Sequence, residues 1–129
     1  MAINLPLGLL ILRIGIGIMF MLHGAPKLLG GPEQWEKQGK VMQNLSIDFL
    51  PAFWGFMAGF SEFVGGLCLV FGILWIPACI LLLLTMIVAA TMHISKGDGF
   101  TGYSHAVESG ILFVSLIFIG PGRYRIRKL

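Results

Sequence analysis

The sequence has few charged residues: Asp, Glu, Lys and Arg make up 12% of its 129 residues, whereas 57% are hydrophobic. Its mean hydropathy of +0.89 lies outside the range of soluble domains of this length. The composition therefore excludes a soluble domain and predicts the lipid bilayer as the main surroundings, with no nucleic-acid partner. The net charge of +3 comes mostly from a C-terminal basic cluster, which we interpret as a membrane-surface anchor: Arg123, Arg125, Arg127 and Lys128.

Cysteine is also scarce. Cys68 and Cys79 are too few for a disulfide framework, and both lie in apolar runs, where a small buried hydrophobic residue is the ordinary interpretation. The spacings HxxxH and CxxC are absent and the three histidines fall on three segments, so we predict no metal site. His23 and His93 could supply axial ligands to haem, but lone histidines at helix ends do so in many unrelated sequences.

Long apolar runs dominate what is present. A membrane-spanning helix needs roughly 20 apolar residues, and four such spans fit, at residues 5–24, 52–73, 76–95 and 103–120. The first has no basic region before it and carries Arg13 in its middle, which favours a retained helix over a signal peptide. The sequence therefore predicts an all-α integral membrane four-helix bundle, one transmembrane domain over residues 1–129.

The only substantial polar region separates the first two spans. Pro32 is followed by Glu33, Gln34, Trp35 and Glu36, a pattern typical of a helix start. We predict a short interfacial helix there, with Trp35 as its anchor. Four spans place both termini on one side of the membrane, and the basic C-terminal cluster favours the cytoplasmic side.

Two ionisable residues lie deep in the predicted spans. Counted from the side of the long polar loop, Arg13 lies roughly 18 Å deep and Glu62 roughly 15 Å deep. Because the two are level, we expect a buried ion pair near the midplane. Such a pair is interpreted as a structural clasp in preference to a direct role in catalysis or transport, although it can serve both.

A second polar group lies nearer that loop side. Its members are predicted to line one polar pocket for a substrate or quinone: His23, Lys27, His93, His105 and Glu108. Lys27 could instead extend to the lipid headgroups, and each histidine alone could be interfacial. Burial of Glu108 without a partner would be expensive, so His105 or Lys27 is expected to offset it.

Glycines occur beside the two deep charges. Gly55 and Gly59 form a GxxxG pattern, Gly65 and Gly66 follow Glu62, and Gly15 and Gly17 lie near Arg13. Small residues allow membrane helices to approach closely, which favours contact between the first two spans. Alternatively, the glycines mark a homo-oligomer face.

These elements together resemble the DoxX family of four-helix bacterial membrane proteins, which is related more distantly to DoxD and MauE. The matching segments cover nearly the full length: Leu12-Arg13, the HGxxK element within Phe20–Leu28, the ExxGG element Glu62–Gly66, His93, Glu108 and Gly120–Tyr124. The resemblance implies a bacterial cytoplasmic-membrane location and a link to sulfur-compound oxidation, quinone reduction or membrane oxidoreductase complexes. The shared polar set would be Arg13, His23, Lys27, Glu62, His93 and Glu108.

The leading functional hypothesis is a membrane subunit of a redox system, such as a quinone-linked oxidoreductase, that binds a quinone head group or a small oxidisable substrate. A bound quinone, a partner subunit or, as a weaker hypothesis, haem would have to carry the electrons. The alternatives are a scaffold or assembly factor for a membrane oxidoreductase complex and a small transporter, which with four spans would need to oligomerise.

Overall fold

The computed structural model describes residues 3–125. Over that range the chain forms five α-helices and a short 3₁₀ helix: α1 (Leu5–Leu29), α2 (Gly31–Gly39), the 3₁₀ helix (Lys40–Leu45), α3 (Pro51–Phe71), α4 (Trp75–Ser95) and α5 (Gly99–Ile119). The helices α1, α3, α4 and α5 are long and apolar enough to cross a membrane. This confirms the predicted all-α membrane bundle with a short helix between its first two spans. Arg127 and Lys128 lie outside the described residues.

Helix α1 is longer than the sequence predicts. Asn4 caps its start by accepting a hydrogen bond from the Leu7 amide at 3.0 Å. It then continues through Pro26 to Leu29, whereas the prediction ended it near residue 24. A proline lacks only its own N–H, and membrane helices tolerate the resulting loss of one backbone bond. The carbonyl of Lys27, in the last turn, accepts a hydrogen bond from Trp35 Nε1 at 2.8 Å, which stabilises this extension.

The reversal between α3 and α4 is tight. Gly72 follows the last residue of α3 with a φ of +71°, and its amide donates to the Cys68 carbonyl at 2.7 Å. A glycine in this left-handed conformation is a common helix stop. The turn therefore falls inside the apolar stretch where the sequence predicts it, and α4 starts directly afterwards at Trp75.

Glycines bring α1 and α3 into backbone contact. A Cβ added at Gly17 would lie 2.6 Å from the Gly66 carbonyl oxygen, and one at Gly24 would lie 2.5 Å from the Phe63 amide nitrogen. Gly55 instead contacts α2, because a Cβ there would lie 1.8 Å from the Trp35 carbonyl oxygen. These glycines are therefore occupied within the chain and do not form a free oligomer face. Gly15 has nothing within 4 Å of the corresponding position.

The core lies where α1, α4 and α5 meet α3. Its fully buried side chains include Leu69, Leu82, Phe113 and Leu116. Helices α1 and α5 meet through large side chains, with the rings of Phe20 and Phe113 5.1 Å apart. Cys68 and Cys79 are buried and free, as expected of small hydrophobic residues.

Candidate functional site

The buried carboxylate of Glu62 pairs with Lys27, not with Arg13. Lys27 belongs to the last turn of α1, and its Nζ donates to Glu62 Oε1. The Glu62 side chain is 4% exposed and that of Lys27 is 34% exposed. The lysine therefore turns into the bundle to neutralise a carboxylate that has left water, and the alternative that it extends to the headgroups is wrong.

The predicted Arg13–Glu62 pair is therefore wrong, and the length of α1 explains why. With α1 ending at Leu29, Arg13 lies roughly 24 Å from that end, whereas Glu62 lies roughly 16 Å from the start of α3. Arg13 is instead level with the last turn of α3. Its Nε donates to the Leu69 carbonyl at 3.0 Å and its Nη2 to the Val70 carbonyl at 3.1 Å.

Arg13 remains a clasp, but its partners are backbone carbonyls. Besides the two carbonyls of α3, its Nη1 donates to the Pro121 carbonyl at 3.1 Å and to the Tyr124 carbonyl. The carbonyls in the last turn of a helix have no partners within the helix, and a cation there also interacts well with the helix dipole. Arg13, only 1% exposed, thus ties α1 to the end of α3 and to the segment after α5.

The structure brings together only part of the five residues that were predicted to line one pocket. His93 Nδ1 lies 2.7 Å from Asp98 Oδ2, at the turn between α4 and α5. The rings of His23 and His105 lie 6.0 Å apart across the groove between α1 and α5. Glu108 is exposed and forms no ion pair with any other residue in 3–125.

A cavity with a volume of about 520 Å³, called the main cavity below, lies elsewhere, between the α2–3₁₀ segment, α3 and α4. Of the predicted pocket residues, only Lys27 lines it. Apolar side chains form most of its wall: Val41, Met42 and Leu45 from the 3₁₀ helix, Trp54, Met57 and Ala58 from α3, and Leu81, Leu84, Ile87, Val88, Ala89 and Met92 from α4.

Four polar side chains interrupt this apolar wall. Lys27 is paired with Glu62, and Thr85 Oγ1 donates to the Leu81 carbonyl at 2.8 Å. Ser61 is 4% exposed. Gln38 Oε1 is buried and accepts no hydrogen bond from any residue that the structure describes. A buried oxygen without a donor costs free energy, so Gln38 is suited to a ligand that carries one.

The cavity reaches the outer surface of the bundle. Leu45, Leu84 and Ile87 line it and are also exposed, Leu84 by 52%. These side chains belong to the 3₁₀ helix and to α4, a helix long and apolar enough to span a membrane, so the exposed part of the wall is apolar. A hydrophobic molecule could therefore enter sideways from the bilayer.

Sequence reasoning missed Gln38, Ser61 and the contribution of the 3₁₀ helix. Val41, Met42 and Leu45 give an otherwise polar segment one apolar side, and that spacing could have shown that the segment packs on the bundle. Nothing in the sequence distinguishes Gln38 from its polar neighbours, because its position depends on how α2 packs on α3.

Comparison with known proteins identifies one family. The model of the DoxX family matches residues 8–94, more than half of the 129 residues. The match includes most of α1, the α2–3₁₀ segment, α3 and all of α4 but its last residue, and it leaves His105 and Glu108 outside. No curated protein and no solved structure matches the chain. Within residues 3–125, no three His, Cys, Asp or Glu side chains are grouped as metal ligands would be.

Proposed function

The chain belongs to the DoxX family, and from this premise we propose that it is a membrane subunit of a redox system, with the cavity between the α2–3₁₀ segment, α3 and α4 as its binding site. The ligand would be a quinone head group or a small oxidisable molecule of similar size. One observation carries the proposal: an apolar cavity of about 520 Å³, open towards lipid, contains an ion-paired lysine and an unpaired amide oxygen.

The size and lining of the cavity suit this class of ligand. Sites for small organic molecules measure roughly 300–1,000 Å³ and combine apolar walls with a few polar groups that fix orientation. Trp54, Met57 and Met92 offer apolar and polarisable contact surface. A planar head group with an apolar tail would bury its ring there and leave its tail in the lipid.

The polar groups can recognise the oxygens of such a ligand. The Lys27 ammonium has three N–H donors, so it can hold Glu62 and still donate to a ligand carbonyl. Gln38 Oε1 accepts from a ligand hydroxyl. A quinone, when bound, takes up electrons together with protons, and the Glu62 carboxylate beside Lys27 is a group that can hold a proton near the cavity.

Filling the cavity tests the proposal. Ala58 lines it, and Ala58→Phe adds a ring inside it, whereas Ile76→Phe enlarges an exposed side chain on α4 outside it. A short-chain quinone should raise the unfolding temperature of the wild type and of Ile76→Phe in detergent. The shift should be lost in Ala58→Phe. An equal shift in all three proteins would remove the cavity from consideration.

A scaffold or assembly factor is the second candidate, and the groove between α1 and α5 favours it. His23, His105 and Glu108 are exposed there, and Glu108 lies roughly 14 Å along α5. Ionisable residues at such a depth usually have a partner, which another membrane helix would supply. The absence of any quinone-induced shift in the wild type would leave this candidate in first place.

We further propose that the protein lies in a bacterial cytoplasmic membrane with both termini in the cytoplasm. The support is the family together with the position of Arg123 and Arg125, which follow α5 and lie at the same end of the bundle as the start of α1.

A further inference from the structure

A second cavity lies at the opposite end of the bundle, beside the Arg13 clasp. Its volume is about 400 Å³, and Arg13, Tyr124 and Arg125 line it together with apolar residues that include Leu10, Ile14 and Phe71. Its position, between α1, the end of α3 and the segment after α5, separates it from the cavity of the proposed function.

Two guanidinium-bearing side chains meet at this cavity without a counter-ion. An atom at the Cβ position of Gly72 would lie 2.6 Å from Arg125 Cβ and 2.7 Å from Arg13 Nη2. Within the described part of the chain, neither arginine lies within ion-pair distance of a carboxylate. Two neighbouring positive charges beside apolar walls repel each other, and an anion between them would remove that cost.

One N–H group of Arg13 has no acceptor in the described part of the chain. Its five N–H groups make four bonds to carbonyls, and the fifth, on Nη2, has no partner within residues 3–125. This nitrogen and the Arg125 Cβ both lie within 3 Å of the position that a Cβ on Gly72 would take. Because the carbonyls hold Arg13 rigidly, the spare donor is already in place for an anionic oxygen.

The cavity lies at the level where α3 and α5 end. Arg13 contacts Leu69 and Val70, directly before α3 ends, and Pro121, directly after α5 ends. Helices that end together mark the boundary of the hydrocarbon core. Ile14 and Phe71, which line the same cavity, are 37% and 41% exposed, so its wall continues onto the lipid-facing surface.

We propose that this cavity binds the phosphate of an anionic phospholipid. The phosphate would lie between Arg13 and Arg125, with Tyr124 able to donate its hydroxyl, and an acyl chain would follow Leu10, Ile14 and Phe71. Arginine suits phosphate because its planar donors match two phosphate oxygens at once. Free phosphate could bind the same two arginines but would not contact the apolar wall. An acyl chain would contact that wall, which favours a phospholipid over free phosphate.

The test compares phosphatidylglycerol with phosphatidylcholine of identical acyl chains, titrated onto the full chain in detergent and followed by native mass spectrometry. The wild type should bind one phosphatidylglycerol at least about tenfold more tightly, as expected for a charge-assisted contact. Arg125→Gln should lose that preference, whereas Arg125→Lys should keep part of it. Lys96→Gln, which removes the same charge from an exposed loop residue at the other end, should keep it in full.

Several outcomes would overturn the proposal. Equal binding of the two lipids by the wild type would show that the cavity does not select charge, and an unchanged preference in Arg125→Gln would place the lipid elsewhere. If Lys96→Gln also lost the preference, the preference for phosphatidylglycerol would depend on the net charge of the protein and not on this cavity. Displacement of the lipid by millimolar inorganic phosphate would identify a free-anion site.

Discussion

At the scale of single residues, the ion pair between Lys27 and Glu62 is asymmetric. The carboxylate is almost fully buried, whereas about a third of the lysine side chain is exposed. Removing one partner of a buried pair is costly mainly because the other is left behind. The cost should therefore depend on which residue stays, since a freed Lys27 can turn towards the headgroups and Glu62 cannot.

We expect Lys27→Met to destabilise the protein by about 3–5 kcal/mol, the range for an abandoned buried charge. Glu62→Gln should cost about 1–3 kcal/mol, since the amide still accepts a hydrogen bond from Lys27. The free energy of unfolding in mixed detergent micelles measures both. Lys37→Met, which changes an exposed residue of α2, is the control and should be nearly neutral. Equal losses for the two partners would contradict the asymmetry.

Arg13 is a residue whose chemistry could be predicted but whose partners could not. A lone arginine in an apolar span must be satisfied, and the sequence offered Glu62 as the nearest charge. The structure satisfies it with carbonyls, which every residue carries and which no sequence pattern distinguishes. The error in pairing therefore came from the length of α1, because ending it at Leu29 shifts the register with α3.

At the scale of helices, the contact between α1 and α3 depends on absent side chains. The backbone of α3 lies within 3 Å of where a Cβ on Gly17 or Gly24 would be. Gly15, on the same helix, has open space around it. The pair Gly24 and Gly15 therefore separates the effect of helix propensity from the effect of close packing.

Gly24→Ala should destabilise the protein by about 1–3 kcal/mol, because the new methyl group meets the Phe63 amide and forces the helices apart. Gly15→Ala should be neutral or stabilising by up to about 1 kcal/mol, since alanine is the better helix former. Unfolding of the two variants under identical conditions distinguishes them. Destabilisation of both by the same amount would show that packing against α3 is not the cause.

At the scale of helices, the sequence predicts the existence of the α2–3₁₀ segment but not its packing. Its helical start at Pro32 and its position between the first two spans followed from proline and acidic residues. Trp35, predicted as an interfacial anchor, also packs on Phe56 with ring centroids 5.1 Å apart and donates a hydrogen bond to the end of α1. The segment therefore closes a cavity, a role that becomes visible only after its packing on α3 is known.

At the scale of the whole molecule, charge is distributed unevenly along the bundle axis. The described basic residues after α5 lie at the end where α1 starts, and the other end carries both acids and lysines. Four basic residues follow α5 in the sequence, and they compete with Lys37, Lys40 and Lys96 at the other end, where Lys27 is paired with Glu62. Because basic residues near span ends control orientation and acids contribute little, we expect the end with Arg123 and Arg125 to face the cytoplasm.

Reporter fusions test this orientation. A cytoplasm-active reporter fused after the last residue should be active, and a periplasm-active reporter inserted at Gly97, in the α4–α5 turn, should be active as well. Replacing Arg123 and Arg125 by Gln should shift part of the population to the opposite orientation. Activity of the two reporters in the reverse pattern would place the termini outside.

The four spans could be predicted from hydropathy alone, because a helix that crosses a bilayer must be long and predominantly apolar. The site could not be predicted in this way: His23 and His105 lie together between α1 and α5, whereas His93 contacts Asp98 at the α4–α5 turn and Lys27 lines the main cavity. Depth along a helix can be counted from sequence, whereas the direction of each side chain depends on helix rotation, which distant packing sets. Lys27 lines a cavity, but not the one that the sequence predicts.

The length of α1 has a consequence for how the protein responds to its membrane. Its 25 residues span roughly 37 Å, which exceeds a hydrocarbon core of about 30 Å. A helix that is longer than the hydrocarbon core accommodates this hydrophobic mismatch by tilting, and it tilts more in a thinner bilayer. Since α1 and α3 touch backbone to backbone, they would tilt as one unit against α4 and widen or narrow the space between α3 and α4. Ligand affinity in the main cavity should therefore vary with the acyl-chain length of the surrounding lipid.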